Sequence, residues 1–334
     1  MDIAIIGATG LVGREIIKVL QERDHFSKSE IIFVASHNKT KRKISFYNKE
    51  HPVVNINEAI KKKPKYVLFS AGSEVAKKYA KEFKKIGSVV IDNSSAFRMN
   101  KEINLIVPEI NGSLLTKNDK IISNPNCSTI QLVLPLHEVQ KQIGIKRLVV
   151  STYQSVSGSG KMGLEQLKNE QNKESSIKKV YPKNIFNNVI PQCDEFLENF
   201  YTKEEEKIIN ETNKIFNSKI RITSTAVRIP TTAAHSESVN MELLRDIDLD
   251  ILIKLLSKES GVVVQTGKNY TTPIDAKGSD KVFVSRIRKD YSKKNSFNLW
   301  IVADPLRKGA ATNAVQILEY LINLYKGQCH QPFH

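Results

Sequence analysis

Short apolar runs alternate with amphipathic stretches through the first third of the chain. Residues 1–7 read as a strand, followed by a glycine loop and an amphipathic helix from Val12 to Glu22. Further strands are predicted at "IIFVAS" (31–36), "YVLFSAG" (66–72), "SVVIDNSS" (88–95) and "KIISNPN" (120–126), with helices at Ile56–Lys62 and Glu74–Ile86 between them. Strands that alternate with helices of about 10 to 15 residues imply βαβ units and a parallel sheet.

After Cys127 the pattern changes. One helix runs to about Ile143. The segments "RLVVSTYQSVSGSG" (147–160), "SKIRITSTAVRIP" (218–230), "SESVNMELL" (236–244), "GVVVQTG" (261–267) and "SFNLWIVAD" (296–304) then read as longer alternating strands. That is the pattern of an antiparallel or mixed sheet with one face packed. Gly309–Leu324 is again helical in period. The Lys- and Asn-rich stretch 168–188 predicts a flexible loop, and no internal repeat is visible.

A chain of 334 residues implies two domains, and 40% apolar with 26% charged residues is ordinary globular composition. No apolar run approaches the roughly 20 residues of a membrane helix, so no membrane role is expected. Met1 leads directly into the first strand, and a leader peptide is not expected. Three widely separated cysteines (Cys127, Cys193, Cys329) argue against a disulfide scaffold and for a reducing cytoplasm. They have no CxxC or CxxH spacing, and no metal site is expected. The net charge of +16, from 51 basic and 35 acidic residues, raises nucleic-acid binding as an option. The lysines are scattered rather than gathered with aromatics on one element, so no nucleic-acid partner is expected.

"GATGLVG" places Gly7, Gly10 and Gly13 between the first strand and the first helix, where a dinucleotide fingerprint belongs. The spacing is GxxGxxG rather than GxGxxG. Glycines let the backbone approach a pyrophosphate, and the helix start attracts the anion. A tight turn with no ligand would use the same residues. At the end of the second strand an NAD site normally carries a carboxylate for the ribose 2′-hydroxyl. Here Ser36, His37 and Asn38 precede Lys39, Lys41 and Arg42, with no acid. Cations without a carboxylate suit a 2′-phosphate, so NADP is the expected cofactor.

Cys127 stands between the Asn-Pro-Asn turn of "SNPNCST" and the start of an apolar helix. A helix N-terminus lowers a thiol pKa and makes a nucleophile; a buried structural cysteine would also fit. Downstream, "AVRIPTTAAHSES" (226–238) carries an arginine and a histidine seven residues apart, and a thiol with a distant His is the arrangement a cysteine nucleophile calls for.

These segments together resemble the bacterial aspartate-semialdehyde dehydrogenase family nearly end to end. The likeness is carried by "GATGLVG", "DNSSAFRM" (92–99), "VPEING" (107–112), "NPNCSTIQ" (124–131), "VVSTYQSVSGSG" (149–160), "NVIPQCDEF" (188–196), "EEEKIINETNKI" (204–215), "STAVRIPTTAAHSES" (224–238), "FVSRIRKD" (283–290) and "KGAATNAVQI" (308–317). The resemblance implies an α/β fold: a Rossmann-type dinucleotide-binding domain (1–126 with 313–334) plus an α+β catalytic and dimerisation domain (127–312) with a mixed, largely antiparallel sheet. It implies an NADP-dependent oxidoreductase of amino-acid biosynthesis (lysine, through diaminopimelate, threonine and methionine), cytoplasmic and homodimeric. Its substrates would be aspartyl phosphate, or aspartate semialdehyde with phosphate.

Position by position, the resemblance makes Cys127 the acyl-thioester nucleophile, His235 the acid/base and Gln154 the residue that orients the intermediate. Arg228 clamps the substrate carboxylate. Glu204 meets the substrate amine and Lys207 the phosphate, with Arg98 and Asn126 completing the phosphate site. Cofactor contacts fall on Gly7, Thr9, Gly10, Leu11, Val12 and Gly13, on Ser36, His37 and Asn38, and on Ser157, Gly158 and Asn313. Taken singly, Arg228 could lie on the surface, His235 could cap a turn and Glu204–Lys207 could be a solvated helix pair. "SHNK" departs from the family's usual 2′-phosphate segment, two threonines follow Pro230, and the 161–187 region is short. N-acetyl-γ-glutamyl-phosphate reductase, a malonyl-CoA-type reductase and a catalytically silent binding paralogue are the alternatives. "PNCST", and a carboxylate placed for a free amine, favour the aspartyl enzyme over the first of these.

Overall fold

The computed structural model describes residues 2–36, 42–174 and 179–327. These residues divide into two compact units, 2–125 with 310–327, and 126–309.

In the first unit, seven strands are β1 (Asp2–Ile6), β2 (Glu30–Val34), β3 (Lys43–Phe46), β4 (Lys49–Val54), β5 (Tyr66–Phe69), β6 (Val89–Asp92) and β7 (Ile121–Ser123). They order as β3-β4-β2-β1-β5-β6-β7, parallel throughout except for the β3–β4 hairpin. The helices are α1 (Leu11–Gln21), α2 (Ile56–Lys61), α3 (Ser73–Lys85) and α4 (Pro108–Asn111), with a C-terminal helix at Thr312–Lys326. Successive strand residues face opposite sides, and the packing follows. Ile3, Ile5, Phe33 and Leu68 cluster with Ile16 and Leu20 of α1 and Val315 and Leu318 of the C-terminal helix. Ala4, Ile6, Val34 and Phe69 cluster instead with Ala76, Ala80 and Phe83 of α3. Both faces are covered, which is why these strands read as unbroken apolar runs.

The second unit is built on α5 (Cys127–Gln142), β8 (Ile145–Ser155), α6 (Gly160–Gln171), α7 (Lys203–Ile215), β9 (Arg221–Ile229), β10 (His235–Leu243), α8 (Leu249–Leu256), β11 (Val262–Val264), β12 (Val282–Lys289) and β13 (Ser296–Ala303). Its sheet runs β11-β12-β13-β10-β8-β9. The pairs β8–β10, β10–β13 and β12–β13 are antiparallel, and β8–β9 and β11–β12 are parallel. The mixed, largely antiparallel sheet matches the expectation. Helix α5 is buried on all sides from Ser128 to Leu136. It packs against α7, α8 and one face of the sheet, so it has no polar stripe.

The expected flexible loop at 168–188 is held by side-chain bonds where it is described, and 175–178 lie outside the described residues. Helix α6 extends to Gln171, and its side chains tie down the residues beyond. Gln166 Oε1 accepts from the amides of Val180 (2.7 Å) and Tyr181 (3.1 Å), and Glu170 Oε2 from those of Ile185 (2.7 Å) and Phe186 (2.9 Å). A lysine- and asparagine-rich composition hid these tethers because the acceptors lie a dozen residues upstream. No helix among the described residues is long and apolar enough to cross a membrane.

Candidate active site

In the first unit the glycine loop joins β1 to α1. Gly7 has φ +87°, and a Cβ there would sit 2.7 Å from the Ser70 carbonyl oxygen. A Cβ on Gly13 would fall 2.2 Å from Gly7 O. These two glycines are therefore required by the close approach of α1 to the sheet, whatever else the loop binds. Gly10 is exposed and caps α1 in an extended conformation, while Thr9, Leu11 and Val12 are half-buried around it. A cavity of about 250 Å³ beside the loop is lined by Ala8, Thr9, Ile17 and Ile44 with the cations Arg14, Arg42 and Lys43. Among the described residues no carboxylate lines it, and Lys43 Nζ donates to Glu50 Oε2 at 3.0 Å. Ser36 is exposed at the end of β2, whereas His37 and Asn38 lie outside the described residues.

Two further predicted residues are buried in this unit. Arg98 donates from Nε to Asn124 O (2.9 Å) and from Nη2 to Asn93 O (2.7 Å). Asn313, at the start of the C-terminal helix, donates from Nδ2 to Ile106 O (2.9 Å) and Asn124 Oδ1 (2.7 Å). Its amide nitrogen thus holds the C-terminal helix to the segments before α4 and after β7.

The remaining predicted residues lie together in the second unit. Cys127 is the first residue of α5, half-buried, with Asn126 as the cap. Asn126 Oδ1 accepts from the amides of Ser128 (2.9 Å) and Thr129 (3.3 Å), which fixes the helix start against the thiol. The Asn126 amide donates to Glu211 Oε2 (2.7 Å), and its Nδ2 to Glu204 Oε1 (2.9 Å). Gln154, near the end of β8, donates from Nε2 to the same Glu204 oxygen and to Ser128 Oγ, both at 3.0 Å. Glu204 Oε2 accepts from Lys207 Nζ at 3.0 Å, and Lys207 also donates to Asp194 Oδ2 at 2.7 Å.

Glu204 is therefore no solvated helix residue; it is 7% exposed. Burial alone would raise its carboxyl, but the Lys207 ammonium and the bonds donated by Gln154, Asn126 and Lys207 overcome that and hold it at about 2. Burial likewise lowers the Lys207 ammonium, yet Glu204 and Asp194 outweigh it and hold it above an ordinary lysine.

His235 opens β10 and is fully buried. Its Nδ1 faces the amide and Oγ of Ser155, each at 3.1 Å, and Nε2 has no hydrogen-bond partner among the described residues. An amide N–H can only donate, so it assigns Nδ1 as acceptor and places the proton of the neutral ring on Nε2. Burial, reinforced by the Arg228 guanidinium and opposed by Glu204, lowers the imidazole to about 3. Arg228, on β9, donates from Nη1 to Ser155 O (2.8 Å) and lies over the Tyr181 ring (5.9 Å), and its Nε has no hydrogen-bond partner among the described residues. Gly158 is the floor between the two side chains. A Cβ there would lie 3.1 Å from His235 Nε2 and 3.2 Å from Arg228 Nη1. Ser157 is buried in the same turn, its Oγ 2.6 Å from Ser155 Oγ.

Two side chains open toward one glycine floor, an imidazole nitrogen and a guanidinium nitrogen, suit a polar ligand that carries an anion. Burial pushes the Cys193 thiol up to about 12 despite Arg228, which leaves it an inert core residue. Cys329 lies outside the described residues.

Three residues of this site had no place in the sequence reading. Glu211 falls seven positions after Glu204 and so shares its helix face, a signal the spacing contained. Ser155 sits inside the quoted "TYQSVSG", but its two bonds to His235 need the β8–β10 pairing. Asp194 adopts φ +70°, a conformation nothing in "PQCDEF" announces.

The chain is similar to known proteins along nearly its whole length. Residues 2–118 match the family described as "Semialdehyde dehydrogenase, NAD binding domain", and residues 133–308 match "Semialdehyde dehydrogenase, dimerisation domain". Aspartate-semialdehyde dehydrogenase of Aquifex aeolicus is 45% identical, covering 96% of this chain and 97% of that protein. Its namesake in Bacillus subtilis is 40% identical, covering 97% and 98%. The crystal structure of aspartate semialdehyde dehydrogenase II complexed with ASA from Vibrio cholerae superposes with a TM-score of 0.93 at 41% identity, covering 97% of this chain and 98% of that one. A thiol on a capped helix, a buried imidazole and guanidinium, and these end-to-end likenesses agree: the chain belongs to the aspartate-semialdehyde dehydrogenase family.

Proposed function

We propose that this chain reduces L-4-aspartyl phosphate to L-aspartate 4-semialdehyde with NADPH, releasing phosphate, and that the reaction runs through a thioester on Cys127. The observation that carries this reading is the shared frame of nucleophile and substrate groups. Asn126 caps the helix that Cys127 opens, and the same side chain is bonded to Glu204, which holds Gln154 and Lys207. A carboxylate offers about four lone-pair sites, and three donors reach Glu204. One site remains for the substrate ammonium. That need for a free amine separates this substrate from its N-acetylated glutamyl counterpart.

In the chemical sequence the Cys127 thiolate attacks the acyl carbon, the C–O bond to phosphate breaks, and phosphate leaves. NADPH, when bound, supplies the hydride that reduces the thioester to a thiohemiacetal. His235 moves the proton of the thiol and then that of the hemiacetal oxygen. C–S cleavage releases the aldehyde and restores the thiol. Arg228 binds the substrate α-carboxylate through a planar fork, and Lys207 and Asn126 bind phosphate. The active form is a homodimer in the cytoplasm, acting ahead of lysine, threonine and methionine synthesis.

NADP rather than NAD is supported by the cavity beside the glycine loop, which Arg14 and Arg42 line together with Lys43, itself paired with Glu50 Oε2 at 3.0 Å. Charge-assisted bonds to a 2′-phosphate are worth about 1.5–3 kcal/mol each. Replacing Arg14 or Arg42 with alanine should raise the KM for NADP about tenfold or more and leave that for NAD within about twofold. Equal effects on both would refute the assignment. Arg228→Lys should raise the KM for aspartate semialdehyde by about 10²-fold with a smaller change in kcat, since an ammonium cannot reproduce the fork. Steady-state kinetics read both numbers. The assay that tests the whole reading is phosphate-dependent reduction of NADP by aspartate semialdehyde, run beside N-acetylglutamate semialdehyde. Preference for the acetylated substrate, or turnover without phosphate or arsenate, would overturn it.

A further inference from the structure

We propose that Ser155 is a positioning residue for His235: its hydroxyl lets the ring exchange a proton at Nε2 that the neighbouring backbone would otherwise lock in place. The inference rests on the acid–base reading of His235. Two groups of Ser155 converge on Nδ1, the amide nitrogen and Oγ, each at 3.1 Å. They act differently. The amide N–H is a permanent donor, so by itself it holds Nδ1 as an acceptor and Nε2 as N–H. Such a ring can give a proton from Nε2 but cannot take the thiol proton there unless Nδ1 carries the other hydrogen. A hydroxyl both donates and accepts, and Ser155 Oγ is placed to receive an Nδ1–H.

The hydroxyl has somewhere to direct its own hydrogen. Ser157 Oγ is 2.6 Å away, so the two hydroxyls can reverse direction together as the ring changes state. The rest of the surroundings holds the ring still. Arg228 Nη1 anchors the Ser155 carbonyl at 2.8 Å, and Gly158, which has no Cβ, lies beside Nε2. The charges facing His235 are Arg228 from β9 and Glu204 from α7, of opposite sign. Neither forms a hydrogen bond with Nδ1. The serine pair therefore holds the Nδ1–H form of the ring, in which Nε2 takes the thiol proton and later passes that same proton to the hemiacetal oxygen.

The test compares Ser155→Ala, Ser155→Thr, Ser157→Ala and His235→Asn as full-length protein. Ser155→Ala keeps the backbone amide and loses only the hydroxyl. Its kcat should fall about 10²-fold, the low end for general acid–base catalysis, and the pH limb that His235→Asn abolishes should shift. The Kd for NADPH should stay within about twofold. Ser155→Thr should restore kcat to within about fivefold of the native enzyme. Ser157→Ala leaves β8 untouched and should lower kcat about tenfold with the same displaced limb, which keeps the proposal testable if Ser155→Ala does not fold. A native kcat and unmoved pH profile in either alanine variant, or Ser155→Thr as slow as Ser155→Ala, overturns the proposal. A His235→Asn enzyme that retains most of its kcat overturns the acid–base reading instead. If that variant is inactive while the serine variants behave as native, only the role of Ser155 falls.

Discussion

Cys127→Ala protein should bind NADPH with native affinity and lose turnover by roughly 10⁵-fold or more, the scale set by removal of a covalent nucleophile. Asn126 caps α5 through its own side chain and through the amides of Ser128 and Thr129, so the helix start does not depend on the sulfur. Cys127 is half-buried, and shortening it leaves space toward solvent rather than a sealed cavity. The Glu204 network likewise contains no sulfur. What disappears is the atom proposed to form the thioester, and no neighbour can replace it. Cys193 is held near pKa 12 in the core, and Ser128 Oγ accepts a bond from Gln154 with no base shown beside it. Fluorescence titration of NADPH and a single-turnover assay check both halves. Residual activity above about one part in a thousand would show that water or another group attacks the acyl carbon directly.

The fold was legible because its two halves use different periods. Unbroken apolar strands such as "DIAII" and "YVLF" announce a sheet covered on both faces, and Ile5 and Ile6 do pack into opposite cores. Alternating strands such as "SFNLWIVA" announce the other sheet. Pairing partners were not legible, since β8 meets β10 across about 80 residues and β9 lies parallel to β8. Within the site, the residue types that carry chemistry stood out: a thiol at a helix start, an Arg and His close together in sequence. Their supports did not. Glu204–Lys207 reads locally as a solvated i, i+3 pair, and only burial against Asn126 and Gln154 makes it a structural centre. Ser155 reads as one serine among several because its value lies in two atoms aimed at a ring on another strand. Sequence shows which side chains react more readily than which ones hold them.

Glu204→Gln should cost about 3 kcal/mol of stability at pH 7, and the loss should shrink in acid. The buried carboxylate accepts from Asn126 Nδ2, Gln154 Nε2 and Lys207 Nζ. An amide of the same shape can accept on one side only, so its NH₂ would face a donor and Lys207 would keep a single carboxylate partner, Asp194. The pH dependence follows from the direction of the shift. Glu204 titrates at about 2 in the folded protein against an ordinary 4.5. A depressed folded value means the stabilisation is complete above the unfolded value, starts to fade as pH falls below about 4.5, and is gone near 2. A difference of this size corresponds to roughly 3 kcal/mol. Denaturant midpoints for native and Glu204→Gln protein should therefore lie well apart at pH 7 and draw together by pH 3.5. The variant should also lose most of its kcat/KM, because Lys207 and Gln154 would lose the group that orients them and the substrate amine its proposed counter-charge. A gap between midpoints that stays constant from pH 7 to pH 3.5 would mean that the Glu204 charge is not what holds Asn126, Gln154 and Lys207 in register with the thiol.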